Sequence, residues 1–148
     1  MVFKKRILIV EDNADSRELL VLVLKRSGYE VAEATTGLAA LDQTHATRPD
    51  LIIMDLGLPG ITGDEATARH KADPSTRDIP VILNSAFNKE AAIVERAIAA
   101  GAAEILYKPT DFKTLLEVVH RYLSSSDHML NSPDTNPFQF PDRIVPAS

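Results

Sequence analysis

Three short apolar runs, Ile7-Leu8-Ile9-Val10, Leu51-Ile52-Ile53-Met54 and Val81-Ile82-Leu83, constrain this chain more than any other feature. They are continuous rather than alternating, which suits strands buried on both faces, as in a parallel sheet covered by helices. Two weaker runs, Val31 to Ala34 and Ala103 to Tyr107, extend the series. Each run leads through a polar loop into a helical pattern. Asp15-Ser16-Arg17-Glu18 resembles a capping box ahead of Leu19, Leu20, Val23 and Leu24, with Gly28 as the stop. Weaker helices are expected from Thr36 to Thr47, ending before Arg48-Pro49, and over 64–72, ending near Pro74. Lys89 to Ala100 is Ala-rich and closes at Gly101. Phe112, Leu115, Leu116, Val119, Tyr122 and Leu123 recur at three and four, an amphipathic face on a last helix. Strand then helix, five times over, implies an α/β fold. It is a (βα)5 doubly wound, five-stranded parallel sheet with right-handed crossovers and helices on both faces. A closed eight-fold barrel needs about 250 residues, and the chain has 148.

Composition narrows the class further. The length suits one domain, expected over 1–125. After Ser124 the composition changes, and residues 127–148 carry Pro133, Pro137, Pro141 and Pro146 with Asn, Ser and Asp. Residues 126–148 are therefore expected to be an extended or disordered tail or linker, too short for an output domain. Phe138, Phe140, Ile144 and Val145 leave it some apolar content for docking. No cysteine is present, which excludes a disulfide framework, a thiolate nucleophile and Cys-ligated metal. No apolar run approaches the length of a membrane span, and Ile7–Val10 is too short for a signal-peptide core. With 16 Lys+Arg against 21 Asp+Glu the chain is acidic, which argues against direct nucleic-acid binding. A cytoplasmic domain without membrane contact is expected. His45, His70, His120 and His128 are scattered without ligand spacing and are expected at surface positions.

In open α/β sheets ligands bind beyond the carboxyl ends of the strands. The first run is followed by Glu11 and Asp12, the third strand by Asp55, the fourth by Asn84 then Ser85, and the fifth by Lys108-Pro109. Three carboxylates, a hydroxyl and an ammonium thus converge on one edge. Three acids repel one another, and a hard divalent cation with oxygen ligands relieves that strain. Mg²⁺ fits best, because it keeps waters and takes one or two carboxylates plus a phosphate oxygen. One carboxylate beside such an ion can act as nucleophile toward a phosphoryl group. Lys108 and Ser85 are the right types to hold equatorial oxygens. Taken singly, Glu11 and Asp12 equally suit the positive end of a helix, and Ser85 a helix cap. Capping alone would not choose the same strand ends for all of them.

The constellation resembles the receiver domain of two-component response regulators, over about residues 5–124. Its carriers are Glu11-Asp12 in Ile9-Val10-Glu11-Asp12-Asn13, Asp55 in Ile53-Met54-Asp55, then Pro59, Gly60 and Gly63, with Ser85-Ala86 and Lys108-Pro109. The resemblance implies a flavodoxin-like sheet of order 2-1-3-4-5. It further implies that Asp55 accepts phosphate from a phosphohistidine on a histidine kinase or histidine phosphotransfer domain. Glu11, Asp12, Asp55 and the backbone carbonyl of Gly57 would hold Mg²⁺, with Mn²⁺ as a substitute. Ser85 and Lys108 would hold the phosphoryl oxygens, and Lys108-Pro109 would be cis. Such a protein is no enzyme in the ordinary sense. It is a signalling phosphoacceptor that catalyses its own phosphorylation and dephosphorylation. It would signal through a downstream protein partner, a further phosphorelay step or a missing part of a longer chain, with a homodimer as one assembly open to it.

The chain also departs from that family. Ile105 occupies the position usually held by an aromatic three residues before the Lys, and Tyr107 is the nearby aromatic on the same strand face. Gly57 follows Asp55 by two residues and Phe87 follows Ser85 by two, a pairing expected to alter the lifetime of an acyl phosphate. The alternative reading is a receiver-like binding module that works without phosphorylation. A haloacid-dehalogenase-type phosphatase would want an Asp where Gly57 stands. A flavin carrier would want a Gly-rich phosphate loop where Glu11-Asp12 stands.

Overall fold

A computed structural model describes residues 4–86 and 91–131, with side-chain surroundings as far as Ser124. The elements run β1 (Arg6–Val10), α1 (Ala14–Arg26), β2 (Glu30–Ala34), α2 (Gly37–Thr47) and β3 (Leu51–Asp55). They continue as α3 (Gly63–Ala72), β4 (Val81–Ser85), α4 (Ala91–Ala100), β5 (Glu104–Tyr107) and α5 (Phe112–Asn131). All four strand pairings are parallel, and the strand order is β2-β1-β3-β4-β5. This is the (βα)5 doubly wound sheet and the 2-1-3-4-5 order expected from the sequence.

The continuous apolar runs divide by alternation between two cores, because successive side chains in a strand point to opposite faces. Leu8, Val10, Ile52, Met54, Val81 and Leu83 face α2, α3 and α4, which supply Ala40, Ala66, Val94 and Ala97. Ile7, Ile9, Leu51, Ile53 and Ile82 face α1 and α5, which supply Leu24, Leu115, Val118, Val119 and Leu123. Every residue of β3 and β4 is buried, so the middle of the sheet has no solvent side.

Several boundaries differ from the sequence reading. The cap of α1 is Asn13 rather than Asp15: extended Asn13 accepts from the Ser16 N–H at 2.8 Å, and Asp15 falls in the first turn. The helix starts earlier because Asn13 already satisfies an exposed amide there. β3 includes Asp55, so that carboxylate stands on the strand itself. Finally, α5 runs to Asn131, so residues 126–131, expected in the tail, have helical backbone. The amphipathic repeat of 112–123 anchors a helix, and the next proline, Pro133, lies beyond Asn131. Residues 132–148, including Phe138, Phe140, Ile144 and Val145, lie outside the described residues, as do Phe87, Lys89 and Glu90.

One histidine is also misplaced by the sequence reading. His70 on α3 is 1% exposed, while His45 and His120 are at the surface. A single His on a short helix of weak periodicity gives no signal of which face is inward. His128 falls where side chains are not described.

Gly63 shows how closely the chain packs behind the third strand. A Cβ there would stand 2.4 Å from the main-chain oxygen of Asp55 and 2.9 Å from the Leu56 Cα. The Gly63 N–H also donates to the Leu56 carbonyl at 2.9 Å. Backbone cannot yield as a flexible side chain does, so Gly63→Ala is expected to cost about 2 kcal/mol through forced displacement of α3. Urea unfolding measures it; a loss under about 0.5 kcal/mol would mean that the turn relaxes freely.

Candidate functional site

The carboxyl ends of β1, β3, β4 and β5 meet along one edge of the sheet. Glu11 directly follows β1 and is 3% exposed; Asp55 ends β3 and is 8% exposed; Asp12 is exposed. One carboxylate oxygen from each of the three lies within 4.8 Å of the others. The Lys108 ammonium, just past β5, donates to Glu11 Oε1 and to Asp55 Oδ2, both at 3.1 Å. The second oxygen of each acid is also occupied. Glu11 Oε2 accepts from the Asn13 N–H and Asp55 Oδ1 from the Gly57 N–H, each at 3.1 Å.

The electrostatics follow from burial. Desolvation raises the Glu11 pKa, and neighbouring Asp55 adds to the rise, against the lowering by the Asn13 amide and Lys108. Burial alone would lower the Lys108 pKa, but its bonds to Asp55 and Glu11 more than offset this and hold it above the ordinary lysine value. Three carboxylates against one ammonium leave an excess of negative charge on oxygen donors alone. That donor set fits a hard divalent cation.

Ser85 ends β4 fully buried, and its main-chain oxygen accepts from the Lys108 N–H at 2.7 Å. Gly57 lies exposed two residues past Asp55, and Gly60 beyond it takes a positive φ of 77°, a turn conformation suited to glycine. The Lys108-Pro109 peptide is cis. Ile105 is 4% exposed, in the core cluster against which Tyr107 packs.

Two site residues were not legible beforehand. Asn84 pairs in register with Asp55 across β3 and β4, is 8% exposed, and lines a cleft of about 320 Å³ with Glu11, Leu20, Lys108 and Phe112. Its only sequence signal is a polar residue breaking the run before Ser85. Arg17 on α1 reaches back to the Glu11 carbonyl, a contact that only the fold reveals.

Residues 7–120 match the family described as the response regulator receiver domain. The chain belongs to that family. Among curated relatives, the polar-differentiation response regulator DivK of Brucella anthropi is 37% identical over 122 residues, covering 82% of this chain and 98% of DivK. Among solved structures, the receiver domain of a signal transduction histidine kinase from Syntrophus aciditrophicus is 35% identical, with a TM-score of 0.77. That match covers 82% of this chain and 91% of the other. The receiver domain of a sensor histidine kinase from Pseudomonas aeruginosa is 30% identical, with a TM-score of 0.76. It covers 82% of this chain and 99% of its own, and holds a magnesium ion in its active-site cleft. The acidic cluster of this receiver, Glu11, Asp12 and Asp55, fits such a site. Among the described residues, no helix is long and apolar enough to cross a membrane.

Proposed function

We propose that this receiver takes a phosphoryl group onto Asp55 from a phosphohistidine on a histidine kinase or histidine phosphotransfer domain. The observation that carries this reading is the Asp55 carboxylate, one oxygen against the Lys108 ammonium and the other against the Gly57 amide, inside a three-acid cluster. Mg²⁺, or Mn²⁺ in its place, would supply positive charge against the phosphoryl oxygens. Glu11, Asp12, Asp55 and the Gly57 carbonyl are the groups that would hold it.

An Asp55 oxygen attacks phosphorus, the P–N bond breaks, and its electron pair returns to the imidazole, which takes up a proton. The product is an acyl phosphate on Asp55. Lys108 and the Ser85 hydroxyl hold phosphoryl oxygens and so stabilise charge as it spreads. Attack by water on phosphorus releases phosphate and restores the carboxylate, so the protein acts on itself as a signalling phosphoacceptor. We place the receiver unit at 1–125, with its last helix α5 continuing to Asn131, and read the residues beyond that helix as tail or linker. The output is a downstream protein, a further phosphorelay step or another part of a longer chain, in the cytoplasm, and the receiver is open to forming a homodimer.

Intact mass after incubation with Mg²⁺ and acetyl phosphate tests the reading. One added phosphoryl group is expected, absent without Mg²⁺ and absent in Asp55→Asn. Ile105, buried and aliphatic where the family carries an aromatic, favours the other reading, a module that binds without phosphorylation. No mass gain with acetyl phosphate or phosphohistidine donors would select it.

A further inference from the structure

Arg17 lies one helical turn past the acidic turn and clasps it twice. Its main-chain N–H donates to the Asn13 carbonyl at 2.9 Å, as the first bond of α1. Its guanidinium doubles back, with Nη1 donating to the Glu11 carbonyl at 2.9 Å and Nε to Glu33 Oε1 on β2 at 3.2 Å. The side chain is only 18% exposed, against 47% for Glu33. The Glu11 carbonyl belongs to the same planar peptide as the Asp12 N–H, so holding it fixes the plane from which both acids project. Glu11 has a second restraint in its Asn13 contact and a third in Lys108. Asp12, exposed, depends on that peptide plane for its direction.

We infer that Arg17 is a positioning residue for the cation-binding acids, holding the Glu11–Asp12 peptide so that Asp12 joins Glu11 and Asp55. This rests on the metal-site reading above. The positioning role and simple charge predict opposite signs. A guanidinium beside a dication site repels the ion, so if charge were its whole effect, neutralising Arg17 would tighten Mg²⁺ binding. Removing an orienting partner of metal ligands weakens affinity, commonly by about 10- to 100-fold.

The test is calorimetric titration of the full chain with MgCl₂ alone, beside melting in EDTA. Arg17→Met is expected to bind Mg²⁺ about tenfold more weakly, with its EDTA melting temperature near that of wild type. Arg17→Lys, which keeps one donor able to reach the carbonyl, is expected to restore part of the loss. Equal or tighter binding by Arg17→Met overturns the positioning role alone. So does weaker binding that comes with a large drop in melting temperature and no rescue by lysine, which would be general loosening. If Arg17→Met does not fold, Arg17→Gln carries the same comparison of sign. No Mg²⁺ binding by wild type overturns the metal-site reading itself, and this inference with it.

Discussion

Lys108→Met is expected to slow phosphoryl uptake from acetyl phosphate by on the order of 100-fold, the usual cost of removing one aimed stabilising donor, while leaving Mg²⁺ binding at least as tight. Methionine keeps the length of the apolar stem and loses the ammonium. In the resting site that ammonium sits 3.1 Å from both Glu11 Oε1 and Asp55 Oδ2. A dication that takes those oxygens must displace or share them with Lys108, so its removal eliminates a competitor. Phosphoryl transfer, by contrast, loses a positive group poised where negative charge accumulates, and the Arg17 guanidinium is engaged with the Glu11 carbonyl and Glu33 instead. Time-resolved intact mass at saturating Mg²⁺ separates the two effects from each other. Uptake within about threefold of wild type would show that Lys108 merely pairs the acids at rest. Loss of Mg²⁺ binding would show instead that the cluster collapses without its ammonium.

That site was legible because its residues occupy strand ends, and strand ends are the most readable feature of a doubly wound fold. Ile7–Val10, Leu51–Met54 and Val81–Leu83 announce buried strands without any knowledge of pairing, and the acids directly after them inherit their position. What failed to appear were contacts made across the chain. Arg17 reads as one residue of an apparent capping box, yet its side chain serves a carbonyl six residues earlier. Asn84 reads as a step into Ser85, yet parallel register sets it beside Asp55. Asp15 and Asn13 are both good caps by residue type, and backbone geometry decides for Asn13. The extra length of α5 lies past Leu123, where its apolar repeat ends and pattern no longer speaks. His70 reads as a surface residue because a histidine carries no preference strong enough to declare burial.

His70 supplies the clearest effect of pH on stability. Burial, first of all, pushes its pKa down from 6.5 to about 4, and the charges of His45 and Lys71 add to this against the opposing pull of Asp73. Neither ring nitrogen has a hydrogen-bond partner among the described residues, so their packing offers an imidazolium nothing in return for desolvation. A base with a depressed folded pKa is neutral in the native state while the unfolded chain already takes up its proton. Stability is therefore intact above about pH 6.5, falls as pH drops toward 4, and levels off below that. Over that window the shift corresponds to about 3 kcal/mol. His70→Leu removes this dependence and fills the same apolar space. Urea unfolding at pH 7, 5.5 and 4 is expected to show the variant gaining about 3 kcal/mol on wild type between the extremes. Other titrating groups occur in both proteins and cancel in that difference. His45, raised by its bond to Asp73 and then by the Leu41 carbonyl, stabilises at low pH and loses that contribution as pH rises through its folded pKa. Asp73, held down to about 2 by the Ser75 amide and hydroxyl and by His45, keeps its contribution until pH falls below the carboxylate range. A gap that stays constant within about 0.5 kcal/mol from pH 7 to 4 would mean that His70 reaches water before the fold opens.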